Sequence, residues 1–224
     1  MKRILSTFVL SMLLSAAVAQ NSHVRFTTDK GVFTVVLFDD TPQHRDNFLH
    51  LVREGYYDGT LFHRVIKNFM VQAGDSSTRH ARPYILYGEN DVPYTLPAEI
   101  RFPTHYHHRG ALAAAREADD VNPERRSSGA QFYIVTGSKW ASSRFADIRS
   151  YVSRMTDGKV VFPYAVAEDY AKRGGAPHLD GQYTIFGEIT DGMDVVEAIS
   201  VVPTDRNDRP ETDLRIIRAE IVEE

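Results

Sequence analysis

Apolar and polar residues alternate with a period of two in several short runs of this chain and with the helical period in a few longer ones. Residues 23–28 and 32–38 read as strands, with Asp29-Lys30-Gly31 as the turn between them. The second run is dominated by β-branched and aromatic side chains, which suit a pleated surface. Thr41-Pro42 opens a helix, with Thr41 as N-cap and Pro42 at the first helical position. Phe48, Leu51 and Val52 recur at helical spacing, and Gly55 ends the run. Tyr57-Asp58-Gly59-Thr60 is a turn into a strand at Phe62. There Arg64 is expected to share a face with Phe62 and Ile66, while His63 and Val65 point the other way. Further strand-like runs occupy 112–115, 131–135, 183–189 and 214–222, and 191–200 is a short helix with Val195, Val196 and Ile199 as its apolar stripe. Many short strands with only two core helices predict a closed β architecture rather than repeated βαβ units.

Residues 138–177 break this pattern. Phe145, Ile148, Val152 and Met155 fall at helical spacing with Arg144, Arg149 and Arg154 between them. Asp157-Gly158 is a break. Residues 163–172 read as a second helix, stopped by Gly174-Gly175 and Pro177. The segment predicts a helical hairpin inserted into the β scaffold.

The first residues have the layout of a secretory signal: Lys2 and Arg3, a mostly apolar run from 4 to 14, then Ala17-Val18-Ala19 as a cleavage site before Gln20. The apolar run is shorter than the roughly 20 residues of a membrane span. The expectation is a cleaved signal over 1–19, no membrane anchor afterwards, and one exported, periplasmic domain over 20–224. The alternative destination is secretion. Composition fits one sizeable core: 224 residues, 42% apolar and 25% charged. A net charge of −4 offers nothing to a polyanion, so nucleic acid is not an expected partner. The absence of cysteine excludes disulfides and thiol chemistry. His105, His107 and His108 cluster without an ordered carboxylate pattern, so they are expected in a solvated loop and not as metal ligands.

The candidate chemistry lies at residues 62–75. One arginine, Arg64, stands among large apolar residues, followed by Phe69, Met70 and Gln72 and closing on Gly74-Asp75. A cation with planar donors beside an apolar pocket suits a reaction that needs one well-placed hydrogen bond. Rotation about an X-Pro peptide bond is such a reaction. Conjugation raises its barrier to about 18–20 kcal/mol, and the uncatalysed change takes on the order of tens to hundreds of seconds. In the twisted transition state the prolyl nitrogen becomes pyramidal and basic, so a donor aimed at it binds that state better than either planar one. No nucleophile, metal, general base or cofactor is required.

The 62–75 run resembles the active-site segment of the cyclophilins, the cyclophilin-type peptidyl-prolyl cis/trans isomerases. The likeness extends to residues 41–48 and 56–59, to 110–116, to Ser128-Gly129-Ala130-Gln131-Phe132-Tyr133-Ile134, and to 178–187 with 192–196. It covers most of the chain apart from the signal and the insertion. The resemblance implies an eight-stranded antiparallel β-barrel capped by two helices, its interior filled with side chains and its substrate groove on the outer face. It implies Arg64 as the catalytic arginine, with Phe69, Met70, Tyr133 and Leu179 lining a proline pocket. Gln72 and Gln131 would contact the substrate backbone, Ala115 and Arg116 would form the facing wall, and Tyr183 would sit at the rim where many members have histidine. Proline-containing polypeptides are the implied partners and assisted folding the implied role. Departures include Lys67-Asn68 for a common Pro-Gly, Arg116 for asparagine, Tyr133 for phenylalanine, and His178 for a tryptophan that helps many members bind cyclosporin. Weak cyclosporin binding with retained isomerase activity is expected. The rival reading is a cyclophilin-like module that holds proline segments as a chaperone without turnover. A hydrolase lacks a G-x-S-x-G motif or a metal set. Oligomeric state is not legible.

Overall fold

A computed structural model of the chain describes residues 22–83 and 85–222. The expected signal over 1–19 lies outside them. Among the described residues, ten strands and four α-helices follow in the order β1 (Ser22–Thr28), β2 (Gly31–Leu37), α1 (Pro42–Arg53), β3 (Arg64–Ile66), β4 (Met70–Ala73), β5 (Thr95–Leu96), β6 (Ala111–Ala114), β7 (Ser127–Ser128), β8 (Phe132–Val135), α2 (Phe145–Met155), α3 (Tyr164–Arg173), β9 (Ile185–Asp191), α4 (Met193–Ser200) and β10 (Ile216–Val222).

Eight strands make one antiparallel sheet in the order β10-β1-β2-β9-β6-β8-β4-β3, and β5 pairs with β7 beside it. The sheet is curled, but its ladder ends at β10 and β3, so the continuous pairing is a half-barrel and not the closed ring that was expected. β3 has only three residues, and the run before it leaves strand geometry. What joins the two ends is an isolated bridge, Leu61 to Arg215. It is flanked by the Phe62 N–H donating to the Leu214 carbonyl (3.0 Å) and the Ile216 N–H donating to the Thr60 carbonyl (2.8 Å).

The alternation of side chains divides the protein into two apolar layers. Phe26, Phe33, Val71, Leu112, Phe132 and Ile134 point inward and meet Phe48 of α1 and Val196 of α4. Met70, Ala111, Ala113, Tyr133, Val135 and Ile185 point outward, yet they too are buried in a second cluster. Period two in β4, β6 and β8 therefore reports two covered faces rather than a dry face and a wet one. Phe62 departs from the expected face. It packs in the inner layer with Val65, because residues 62 and 63 are not strand and alternation starts only at Arg64.

The start of α1 also differs from expectation. Thr41 precedes the helix, but its hydroxyl donates to the Phe38 carbonyl and caps nothing. The Glu99 carboxylate accepts instead from the Gln43 and His44 N–H groups (3.2 and 3.0 Å) and meets His44 Nδ1 at 2.6 Å. A carboxylate there satisfies orphan donors and complements the positive end of the helix.

Helices α2 and α3 form a hairpin with its own core of Ile148, Val152, Phe162, Val166 and Tyr170. Arg144, Arg149 and Arg154 face solvent, as does Met155 at the C-terminal end of α2. The hairpin leaves and rejoins the sheet at one point. The Gly175 N–H donates to the Ser138 carbonyl (3.2 Å), the Trp140 indole N–H to the Gly175 carbonyl (2.8 Å), and the Ala176 N–H to the His107 carbonyl (2.8 Å). A Cβ on Gly175 would meet the His107 carbonyl and lie 2.6 Å from the Tyr170 ring, so only glycine lets these segments approach.

Candidate active site

The hairpin of β3 and β4, extended by β8 and β6, lays one row of side chains across the outer face. Arg64 is the register partner of Gln72, Gln72 of Tyr133, and Tyr133 of Ala113. The next row holds Ile66, Met70 and Val135. The turn between β3 and β4 places Phe69 beside the second row, with Asn68 in the left-handed region (φ 60°) where the Lys67-Asn68 departure falls. Asparagine accepts that conformation better than most residues.

These rows end in a cavity of about 160 Å³ lined by Arg64, Phe69, Met70, Gln72, Ala115, Arg116, Tyr133, Leu179 and Tyr183. Drug-sized pockets run to about 300–1,000 Å³, so this one has room for a single small ring. Met70 and Tyr133 form its buried floor, at 2% and 5% exposure. Phe69 and Leu179 stand at the sides, half-buried. The Arg64 guanidinium is at the rim, 45% exposed, with Nε 3.6 Å from the Asp208 carboxylate.

Gln131 is absent from this lining. It borders an adjoining cavity of about 850 Å³, which shares Gln72, Ala115 and Arg116 with the first and extends along residues 88–95, 121–122 and 126–128. Its amide is engaged on both sides. Nε2 donates to the Gly88 and Asn90 carbonyls (2.8 and 3.0 Å), and Oε1 accepts from Gln72 Nε2 (3.0 Å). Gln72 Oε1 in turn lies 3.5 Å from Arg64 Nη1. The arginine thus stands at the head of a line of amides, all pointing the same way, that ends on the loop at 88–90. Main-chain bonds from the Ala115 N–H to the Gln131 carbonyl (3.0 Å) and from the Ser128 N–H to the Ala115 carbonyl (2.8 Å) hold the facing wall.

Arg116 lines the pocket with its guanidinium tied to its own wall. Its Nε donates to the Gln182 carbonyl (2.9 Å), its Nη1 to the Glu117 carbonyl (2.7 Å), and its Nη2 pairs with Asp119 (2.6 Å). The guanidinium lies over the Tyr183 ring, 4.4 Å from its centroid, and holds that rim residue upright.

The histidines are not the solvated loop that the sequence suggests. His107 is fully buried and His108 is 7% exposed, because Asp180 and Glu188, distant in sequence, fold over them. His107 Nδ1 lies 2.9 Å from Asp180 Oδ1, and Nε2 lies 2.9 Å from the Tyr133 hydroxyl. His108 pairs with Glu188 (3.2 Å), a bond that holds the Glu188 carboxyl below its usual range. His105 stacks on Phe38 and bonds Asp40. Among the described residues no three or more His, Asp or Glu side chains are grouped to hold a metal. His63, next to Arg64, is also buried. No hydrogen bond of normal geometry reaches either ring nitrogen, and burial lowers its pKa to about 4.

A family model described as cyclophilin type peptidyl-prolyl cis-trans isomerase matches residues 23–221. A protein of Staphylococcus saprophyticus with the provisional name peptidyl-prolyl cis-trans isomerase is 34% identical over 198 residues, covering 88% of this chain and 89% of that one. Peptidyl-prolyl cis-trans isomerase-like 1 of Neurospora crassa is 30% identical over 202 residues, covering 90% and 94%. This chain spans 38% of the length of a Streptococcus pyogenes relative, provisionally named a bifunctional phosphatase/peptidyl-prolyl cis-trans isomerase, to which it is 35% identical. Among solved structures, a cyclophilin type isomerase of Cryptosporidium parvum superposes with a TM-score of 0.66 at 24% identity, covering 91% of this chain and 99% of that one, and so shares the fold. With the family model spanning the whole curled sheet and both of its flanking helices, the chain belongs to the cyclophilin-type peptidyl-prolyl cis-trans isomerases.

Proposed function

We propose that this chain turns X-Pro peptide bonds in exported or unfolded polypeptides, with the 160 Å³ cavity as the seat of the prolyl ring and Arg64 as the catalytic residue. The supporting observation is the placement of one guanidinium at the edge of a buried apolar floor, in hydrogen-bond line with Gln72. The ring sits on Met70 and Tyr133 between Phe69 and Leu179. The neighbouring peptide groups lie along Gln72, Gln131 and the main chain at Ala115 and Arg116. As the bond twists, the prolyl nitrogen gains a lone pair and Arg64 donates to it. A related Cryptosporidium parvum structure was obtained in the presence of the dipeptide Ala-Pro, which supports proline-containing peptides as ligands here. The bridge and hydrogen bonds between the ends of the sheet support a barrel closed through residues 60–62 and 214–216. The basic start, apolar run and Ala17-Val18-Ala19 site support export to the periplasm.

The deciding experiment follows isomerisation of a short X-Pro peptide by the native chain and by Arg64→Ala. Loss of one donor that acts in the transition state costs about 100-fold. A native protein that binds the peptide yet leaves the buffer rate unchanged would favour the non-catalytic module instead.

A further inference from the structure

From Tyr133 in the pocket floor a line of buried polar side chains runs back through His107 and Asp180 to Tyr170, three residues that the isomerisation step does not use. Tyr170 of α3 donates its hydroxyl to Asp180 Oδ2 (2.8 Å). Asp180 Oδ1 accepts from the backbone N–H of His107 (2.9 Å) and meets its Nδ1 at 2.9 Å. His107 Nε2 meets the Tyr133 hydroxyl at 2.9 Å. Tyr170, Asp180 and His107 have no exposed surface, and Tyr133 has 5%.

The direction of each bond follows from chemistry. The Tyr170 hydroxyl and the His107 backbone N–H donate to the Asp180 carboxylate, an acceptor, and the ring nitrogen facing the same oxygen makes a bond only as a donor, which assigns the His107 hydrogen to Nδ1. The bare Nε2 then accepts from Tyr133, whose phenol burial pushes well above its ordinary range and so keeps protonated. In this tautomer every polar atom of the line is satisfied. The geometry also fixes rings. The His107 and Tyr133 planes differ by 7°, and Tyr183 stands across both at 87° and 86°. Two walls of the pocket therefore depend on one network: Tyr133 as its end, and Leu179 as the residue before Asp180. Its far end, Tyr170, belongs to the inserted hairpin.

We propose that His107, Asp180 and Tyr170 are positioning residues for the proline pocket, and that the inserted hairpin acts through Tyr170 to set Tyr133 and Leu179 against the substrate ring. The inference rests on the assignment of that cavity as the active site. A hairpin that were mere decoration would leave the pocket indifferent to a hydroxyl on its helix. A positioning network makes the two communicate.

The test is a double-mutant cycle on X-Pro peptide kinetics, with the stability of each variant measured separately. Tyr170→Phe removes one hydroxyl and keeps the ring. Its expected effect is a rise in KM of about five- to tenfold with kcat within about twofold, since the floor holds the ring in ground and transition states alike. In the Tyr133→Phe background, where the line reaches the pocket only through Leu179 beside Asp180, the same change is expected to raise KM by no more than about twofold. Long-range nitrogen–proton NMR should show His107 as the Nδ1–H tautomer in the native chain and a mixture in Tyr170→Phe. If Tyr170→Phe does not fold, His107→Gln takes its place in the same two backgrounds. Native KM in Tyr170→Phe, or an equal KM rise in both backgrounds, overturns the inference. Arg64→Ala run alongside separates the failures. A native rate in that variant sinks the active-site assignment and this inference with it, whereas lost activity there with native KM in Tyr170→Phe sinks only the positioning role.

Discussion

Gln72 faces Arg64 across the β3–β4 ladder, with its amide oxygen 3.5 Å from the guanidinium and its amide nitrogen 3.0 Å from the Gln131 oxygen. The donor proposed to meet the prolyl nitrogen is therefore aimed by an amide that is itself held at its other end. Gln72→Ala leaves Arg64 in place but unaimed. We expect kcat/KM for an X-Pro peptide to fall about tenfold, equivalent to ~1.4 kcal/mol, with little change in the denaturation midpoint. An unchanged kcat/KM would show that the guanidinium needs no such guide.

His63 predicts an acid dependence of stability. Burial lowers its pKa from 6.5 to about 4, with Asp75 and the Leu61 backbone opposing that shift by less. The unfolded chain binds a proton near pH 6.5 that the folded chain refuses until near pH 4. The contribution is thus fully present above about pH 6.5 and is lost as pH falls toward 4, reaching about 3 kcal/mol. Denaturant unfolding of the native chain and of His63→Leu at pH 7, 5.5 and 4.5 isolates the group. The variant should lose less stability on acidification, and parallel losses would place the titration elsewhere.

The sequence made the local half of this site legible and left the rest hidden, for reasons that can be named. Arg64, Phe69, Met70 and Gln72 lie on one short hairpin, so spacing alone brings them together. Tyr133 and Leu179 join them only through β8 and the segment after α3, and their place in the pocket follows from family likeness and not from spacing. Gln131 borders the adjoining cavity rather than the smaller one, its amide bonded to Gln72 and to the carbonyls at 88–90, a placement its spacing in the sequence does not reveal. The burial of His107 could not be read, since its carboxylate partner lies 73 residues away. The cap on α1 comes from Glu99 and not from the neighbouring Thr41 for the same reason. Contacts between remote segments leave no period in the sequence. The bonds between the two ends of the curled sheet, Phe62 to Leu214 and Ile216 to Thr60, are contacts of the same kind.

His178 lies against Phe69, with ring centroids 5.2 Å apart, at the position where the family likeness places a cyclosporin-binding tryptophan. An imidazole offers less apolar area than an indole and no N–H at the indole's reach. Cyclosporin should inhibit the native chain at least tenfold more weakly than it inhibits His178→Trp, while the peptide kcat/KM of the two agrees within about twofold. Equal inhibition of both would detach drug binding from this position.

Gly74 ties the stability of the fold to the site. Its φ is +105°, and a Cβ there would meet the Ala130 carbonyl and approach Gln131 Cα at 2.7 Å. Both obstacles are backbone atoms, so no side-chain rotation relieves them. Gly74→Ala should cost about 2 kcal/mol or more, the range for strain at a special backbone position together with overpacking. The displaced segment carries Gln131, which holds the Gln72 amide and the 88–90 carbonyls, so activity should fall even at temperatures where the variant remains folded. The check is kcat/KM measured well below the unfolding midpoint. A variant that is destabilised yet fully active there would mean that the line from Gln131 to Arg64 tolerates a shift at its base, and that Arg64 finds its aim from β3 alone.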